Sequence, residues 1–262
     1  MTRRPGAVRD GVRLSYGTLT RFPVRPPESV DAVAAGFAMA WGWLLIVPVT
    51  ILIGATGWVL SLAGIPSLAV GLVVVGLLQF STRFMHADGL ADTADGLGAA
   101  RGRAGALEIM RKSDIGPFGV VTLIIVLGLQ AATAGAISAA PRGWLIVGGA
   151  LAVSRVALAL GTAAGVPSAR EDGLGAAVAG AVGIPALVVT LVLSGAVMSA
   201  VGWASGIGFM AGALSWAASL AVASWLLAHV VRRLGGITGD VLGALVETAA
   251  AVSLLVLSAF VS

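Results

Sequence analysis

Residues 115–141 read IGPFGVVTLIIVLGLQAATAGAISAAP, 27 positions without an Asp, Glu, Lys or Arg. A soluble helix of that length needs a polar face, and this one has none; about 20 apolar residues suffice to cross the hydrocarbon core of a bilayer. The stretch predicts a transmembrane helix. The same pattern recurs on either side. Gly143–Val166 carries only Arg155, and Val241–Ser262 only Glu247. Two longer runs without a formal charge each hold a pair of spans: 32–82, with a turn expected near Gly64-Ile65-Pro66, and 173–231, with a turn near Gly202–Gly208. Gly and Pro count less against helix here than in water, because neighbouring helices re-satisfy the backbone. The expected fold is all-α, a polytopic integral membrane bundle of about seven transmembrane helices forming one unit over residues 1–262.

The bases orient it. With the N-terminus in the cytoplasm, segments 1–31, 83–114, 166–173 and 232–240 share one side and hold 14 of the 16 Lys and Arg; Arg142 falls outside and Arg155 within a span. This is the positive-inside asymmetry, and it puts the C-terminus outside. The opening, MTRRPGAVRDGVRLSYGTLTRFPV, lacks the apolar core and cleavage site of a signal peptide, so 1–31 is expected to stay as a cytoplasmic or interfacial segment. Val8, Val12, Leu14, Tyr16, Leu19 and Phe22 alternate there with Arg9, Arg13 and Arg21. An interfacial amphipathic helix fits that alternation; a disordered basic tail is the competing reading.

Composition closes off other classes. Hydrophobic residues make up 58%, charged residues 11%, and Gly numbers 37. A soluble chain carries roughly a quarter charged residues, so this one has too few to coat a water-facing surface. With no Cys there is no disulfide framework, thiolate nucleophile or thiolate metal site. The net charge is only +4 and the bases are spread between spans, which argues for a bilayer partner and against nucleic acid.

Scarce charges must sit at an interface, face a polar cavity or do chemistry. The expected cytoplasmic loop 83–114 opens with Arg83-Phe-Met-His-Ala-Asp-Gly-Leu-Ala-Asp-Thr-Ala-Asp-Gly-Leu-Gly98. Asp88, Asp92 and Asp95 have the spacing i, i+4, i+7 and share one helical face. Carboxylates that close repel one another, and a hard divalent cation is the usual remedy; Mg²⁺ takes one or two carboxylates together with phosphates and water. His86 reads equally as a hydrogen-bonding residue or a substrate contact. Arg101, Arg103, Arg111 and Lys112 follow, suited to the oxygens of a diphosphate. Ser113 and Asp114 read either as the N-cap of the third span, with Pro117 in its first turn, or as substrate and metal contacts. Arg155 lies half-way along the fourth span and needs a buried acid or a polar cavity. Arg170 is an anchor or a phosphate contact. Asp240 opens the last span, and Glu247 lies seven residues on along the same face, so the two acids are expected to complete the polar site from across the bundle.

Together these blocks resemble one family. Thr20-Arg-Phe-Pro-Val24, His86-Ala-Asp-Gly-Leu-Ala-Asp-Thr-Ala-Asp-Gly96, Ile109-Met-Arg-Lys-Ser-Asp-Ile-Gly-Pro-Phe-Gly119, Pro167-Ser-Ala-Arg170 with Gly173-Leu-Gly175, and Gly235-Gly-Ile-Thr-Gly-Asp240 with Glu247 are similar to cobalamin synthase, also called adenosylcobinamide-GDP ribazoletransferase. The matches run in order from residue 20 to 247; the first span departs, lacking around Ala38–Leu44 the Phe-Pro-Leu-Val-Gly-like stretch of the family. The resemblance implies an Mg²⁺-dependent transferase of the bacterial cytoplasmic (inner) membrane, acting in vitamin B12 assembly. It implies that adenosylcobinamide-GDP is joined to α-ribazole 5′-phosphate or α-ribazole, giving adenosylcobalamin 5′-phosphate or adenosylcobalamin and GMP. Read onto that reaction, Asp88, Asp92, Asp95 and Asp114 would hold the metal. Asp92, Asp95 or His86 would handle the proton. Arg101, Arg111, Lys112, Ser113, Arg155, Arg170, Asp240 and Glu247 would contact substrate. A homo-oligomer is compatible with the sequence.

Two alternatives stand beside it. Asp92-Thr-Ala-Asp95-Gly96 copies the start of the CDP-alcohol phosphotransferase motif, but Arg101 falls one position late for it and the later Asp pair is missing. A cation-coupled transporter would use Arg155 and Glu247 for coupling, yet the halves show no internal repeat and the charges crowd at one side.

Overall fold

The structure, a computed structural model, describes residues 5–261. Arg3 and Arg4, counted above among the cytoplasmic bases, and Ser262, the last residue of the expected final span, lie outside the described residues. Helix α1 (Ala7–Leu19) precedes a 31-residue span made of α2 (Ala32–Leu45) and α3 (Val47–Leu62), interrupted just before Pro48, which has no N–H to continue the ladder. Then come α4 (Ser67–Ser81), α5 (Met85–Gly98), α6 (Arg103–Ile109) and α7 (Pro117–Ser138). The fourth span is α8 (Gly143–Val153) with α9 (Val156–Gly161). After the short α10 (Gly173–Val178) follow α11 (Ile184–Ser205), α12 (Phe209–Leu234) and α13 (Gly239–Ser258). Among the described residues the only strand-like pairings are two isolated bridges, Ala163 with Val182 and Ser168 with Ile237.

Six segments are long and apolar enough to cross a membrane alone. A seventh candidate is α4, which is long and apolar enough only when taken together with the bent α5. Its last residue, Ser81, accepts a hydrogen bond from the Arg21 N–H at 2.7 Å, just past the end of α1, which packs on the end of α2 (Tyr16 Oη to Leu45 O, 3.2 Å), so α4 returns the chain to the level of the α2–α3 junction. The opposite end is tied by Ser61 Oγ to the Ser138 carbonyl at 2.7 Å and by Arg142 to the Ala204 carbonyl at 2.5 Å. The expected turns stand where the chain reverses, between Leu62 and Ser67 and between Ser205 and Phe209. The core is asymmetric: α8–α9 and α13 are 83% and 72% buried along their apolar windows, against 28–33% for the other long spans. Those two segments form the axis and the rest ring them.

The 83–114 stretch differs from the expected loop. After α4 the chain bends by 93° and runs as α5 across the end of the bundle. Arg83 and Phe84 make the bend, both with left-handed backbone (φ 57° and 60°), a conformation that costs non-glycine residues about 1–2 kcal/mol. The Phe84 N–H donates to Gln79 O at 2.8 Å and the Arg83 guanidinium to Gly17 O, which offsets the strain. The N-terminal segment is helical, as the amphipathic reading requires; α1 lies along α2 and buries Ala7, Asp10, Gly11, Ser15 and Leu19.

Candidate active site

Helix α5 crosses α13 at very short range. A Cβ on Gly89 would stand 2.6 Å from Asp240 O, so that crossing point requires glycine, and one on Gly243 would stand a tight 3.0 Å from the His86 backbone. The contact sets Asp240, at the start of α13, beside the acidic face of α5. The i, i+4, i+7 face forms, but its three acids differ in depth: Asp88 is exposed, Asp92 half-buried, and Asp95 only 7% exposed.

Asp88, Asp92 and Asp240 make the open part of the site. The Asp92 carboxyl is raised to about 7, first by burial and then by the charges of Asp88, Asp240 and Asp95, with Arg170 opposing. Asp240 receives a hydrogen bond from Thr238 Oγ1 at 3.1 Å and faces Arg170 Nη1 at 3.8 Å. Thr238 also caps α13, its oxygen accepting from the Val241 N–H. Arg170 is placed by the Leu107 carbonyl at 2.8 Å, and its chain segment is stitched to the α12–α13 connection by Ile237 N–H to Pro167 O and Ala169 N–H to Ile237 O. A cavity of about 280 Å³ opens between Met85, Asp88, Arg170, Gly175, Thr238 and Asp240.

The structure separates other residues that the sequence grouped together. Asp95 points from α5 to the start of α7, where its two oxygens accept the Gly116 and Gly119 N–H at 2.7 and 2.9 Å. The N-cap role expected of Ser113 or Asp114 therefore belongs to Asp95, on another helix. A Cβ on Gly116 would lie 2.4 Å from that carboxylate. Ser113 and Asp114 are exposed. Asp114 lines a second cavity, about 350 Å³, with Asp95, Arg101, Lys112 and Phe118. Arg111 pairs with Asp172 at 2.6 Å, both exposed, at the edge of a third hollow shared with Glu108 and Arg170. Arg103 donates to Ala169 O at 3.4 Å and Arg233 to Ala99 O at 3.0 Å, so these bases brace the connections.

His86, Arg155 and Glu247 belong to a closed group inside the bundle. Exposure is 4% for His86 and 0% for both Arg155 and Glu247. Glu247 Oε2 accepts from Gln130 Nε2 at 2.8 Å, and His86 Nδ1 lies 3.9 Å from Glu247 Oε1. Arg155 donates to Leu151 O at 2.6 Å and to Ser154 Oγ at 2.8 Å, and Glu247 is the charge it interacts with. Arg155 and Glu247 thus place opposite charges in one interior where neither can be hydrated. Their expected substrate contact, and that of His86, gives way to this burial.

The metal expectation meets the same test of position. Among the described residues no three His, Asp or Glu side chains stand close enough to enclose a metal ion. Asp95 spends its oxygens on α7 and Asp114 sits in another cavity, which leaves Asp88, Asp92 and Asp240 as neighbouring acids, spaced too widely to enclose an ion by themselves. Hard oxygens in excess of positive charge suit Mg²⁺, which completes its shell with water and phosphate.

Three contributors went unread. Gln130 is a lone amide in the apolar run 115–141 and, like Glu247, needs a polar partner away from lipid. Thr238 carries the ordinary Thr-x-Asp signal of a helix start. Nothing in local spacing announces Asp172 as the partner of Arg111.

The sequence matches the family described as cobalamin-5-phosphate synthase over residues 11–258. It is 41% identical to the adenosylcobinamide-GDP ribazoletransferase of a Nocardioides species, over 95% of this chain and 98% of the relative. It is 38% identical to the protein of the same name from Frankia casuarinae, covering 94% and 93%, and 39% to that of Bradyrhizobium diazoefficiens, covering 95% and 93%. No solved structure matches the chain.

Proposed function

The chain belongs to the cobalamin-5-phosphate synthase family, and on that premise we infer that the mouth between α5, the 167–175 segment and the start of α13 is where it works. It is an adenosylcobinamide-GDP ribazoletransferase of cobalamin biosynthesis, built into a membrane. The ribazole hydroxyl attacks the cobinamide-side phosphorus and GMP leaves. The observation that carries the placement is the convergence of half-buried Asp92 with Asp88 and Asp240, its carboxyl raised to about 7 first by burial and then by those acids.

Asp88, Asp92 and Asp240 would hold Mg²⁺, which would neutralise charge building on the phosphate oxygens and the leaving group. Arg170, fixed by the Leu107 carbonyl, aims a charged fork at the same cavity and would bind phosphate oxygens. Arg101 and Lys112 line the neighbouring cavity on the far side of Asp95, suited to the rest of the nucleotide diphosphate. Arg111 borders the third hollow with Arg170. Of the acid–base candidates, Asp92 is the one left partly exposed beside Asp88 and Asp240, since His86 is buried against Glu247 and Asp95 caps α7. It would accept the hydroxyl proton.

The excess of bases at this end orients the protein with the mouth and N-terminus in the cytoplasm and the C-terminus outside, in the cytoplasmic membrane. The test uses purified protein in nanodiscs with adenosylcobinamide-GDP and α-ribazole phosphate. GMP release should stop on chelation and return with Mg²⁺. Undiminished release under chelator would overturn the metal assignment.

A further inference from the structure

The closed group around Glu247 has no part in the reaction just described, yet it sits directly beneath it. Along α13, Glu247 lies seven residues below Asp240, about 10 Å at 1.5 Å per residue and on the same face. The α5 residue that meets this group is His86, in the turn that carries Asp88. Four stretches of chain converge there, each through one side chain: His86 from α5, Gln130 from α7, Arg155 from the junction of α8 and α9, and Glu247 from α13. Gln130 holds Glu247 twice, through Oε2 at 2.8 Å and through its backbone oxygen at 3.0 Å, so the carboxylate cannot swing away. Its other oxygen, Oε1, has no hydrogen-bond partner and faces His86 Nδ1 at 3.9 Å, which has none either. Arg155 keeps Nε and Nη2 unpaired on the same buried group. At its other end α5 is fastened by Asp95 to α7. The acidic helix is thus held by hydrogen bonds at its Asp95 end, while its first turn crosses α13 on glycine and sets His86 facing Glu247.

We propose that Glu247 is a positioning residue which, anchored by Gln130 and balanced by Arg155, sets the first turn of α5 through His86 so that Asp88 and Asp92 converge with Asp240. The inference rests on those three acids being the metal-binding site. Residues that orient ligands from behind change metal affinity by about 10–100-fold when removed. A side chain that only adds stability would alter the folded yield and leave the affinity of the folded protein unchanged.

The test is a double-mutant cycle on the full chain in nanodiscs, read by Mn²⁺ binding through electron paramagnetic resonance and, separately, by GMP release at saturating Mg²⁺. H86Q and E247Q should each weaken Mn²⁺ binding about tenfold. The double variant should be no worse than either single one, because both act through one contact. Turnover at saturating Mg²⁺ should stay within about threefold, the loss falling on metal affinity. Unchanged Mn²⁺ affinity in the folded variants, or losses that add in the double variant, would overturn the proposal. E247Q leaves Arg155 without a balancing charge; should it fail to fold, R155Q/E247Q keeps the interior neutral and must show the same weakening. D92N is the control for the site: full Mn²⁺ binding there would bring down the metal site and this inference with it. Lost binding in D92N with normal binding in H86Q and E247Q would refute the positioning role alone.

Discussion

Two groupings of acid and arginine lie seven residues apart on α13 and are built to opposite ends. At the mouth, Asp88, Asp92 and Asp240 face Arg170, whose nearest nitrogen is 3.8 Å from Asp240; the side chains of that pair are 16% and 27% exposed. In the interior, Glu247 meets Gln130 and His86 and shares its surroundings with the opposite charge of Arg155, both charged members fully buried. The residue types are nearly the same. Depth and charge balance differ. Negative charge in excess at an open face is relieved by protonation or by a cation from solution, whereas opposite charges sealed from water leave Glu247 to tie α13 to α7 through Gln130. Each variant below should act on one grouping and spare the other.

The largest effect is expected at the mouth. Asp92→Asn keeps shape and removes the charge, and GMP release should fall on the order of 10³-fold, as when a group stabilising transition-state charge is lost. Thermal unfolding in detergent should be unchanged or slightly raised, because the substitution relieves repulsion. A variant that retained a tenth of the activity would erase the distinction between the two groupings.

The interior should respond in the other currency, stability. Glu247→Ala leaves Arg155 buried without an opposing charge and should cost about 3–5 kcal/mol, whereas replacing both as Arg155→Met/Glu247→Leu should recover most of it. Unfolding midpoints of the two variants in the same detergent decide this; a double variant as unstable as the single one would show that Arg155 and Glu247 do not balance each other.

How far these two groupings were legible in the sequence follows from what spacing encodes. Spans and turns came from runs without charge, because lipid contact is decided residue by residue along the chain. The acidic face of α5 came from helical periodicity for the same reason. Which acids belong together depends on which helices cross, and no local pattern carries that. Asp240 and Glu247 both lie on the face of α13 that α5 crosses, so periodicity assigned them one site; the crossing at Gly89 and Gly243 puts one at the mouth and the other inside. Asp95 shares a face with Asp88 and Asp92, yet the start of α7 comes close enough to claim it.

Asp95 therefore tests the boundary of the mouth. As a cap reaching from a neighbouring helix, Asp95→Ala should cost about 1–2 kcal/mol, seen as a fall of a few degrees in unfolding temperature. Activity should drop by less than in Asp92→Asn, because the helix start moves and no ligand is lost. An activity loss equal to that of Asp92→Asn would return Asp95 to the metal set.

The pH dependence separates the groupings again. With its folded value raised to about 7, Asp92 is largely protonated at pH 6 and ionised at pH 8. Metal binding requires the ionised form, so Mn²⁺ affinity should fall as pH drops below about 7, approaching tenfold per unit for one proton displaced. Saturating metal should move the midpoint of activity to lower pH. A flat affinity between pH 6 and 8 would mean that Asp92 does not ligate the ion.

The smallest effect is expected at the rim, where Arg111 and Asp172 pair at 2.6 Å with side chains 56% and 70% exposed. An exposed pair is worth about 0–1 kcal/mol, so Arg111→Ala should leave the unfolding temperature within error. Its consequence should appear in substrate affinity: Arg111 borders the hollow that Arg170 shares, and losing it should raise the KM for adenosylcobinamide-GDP severalfold with kcat retained. Asp172→Ala frees the same guanidinium and should lower that KM or leave it unchanged. Opposite shifts in KM without a shift in stability would place Arg111 with the mouth, as a charge held for substrate; equal losses of stability in both variants would place it with the interior, as a tether.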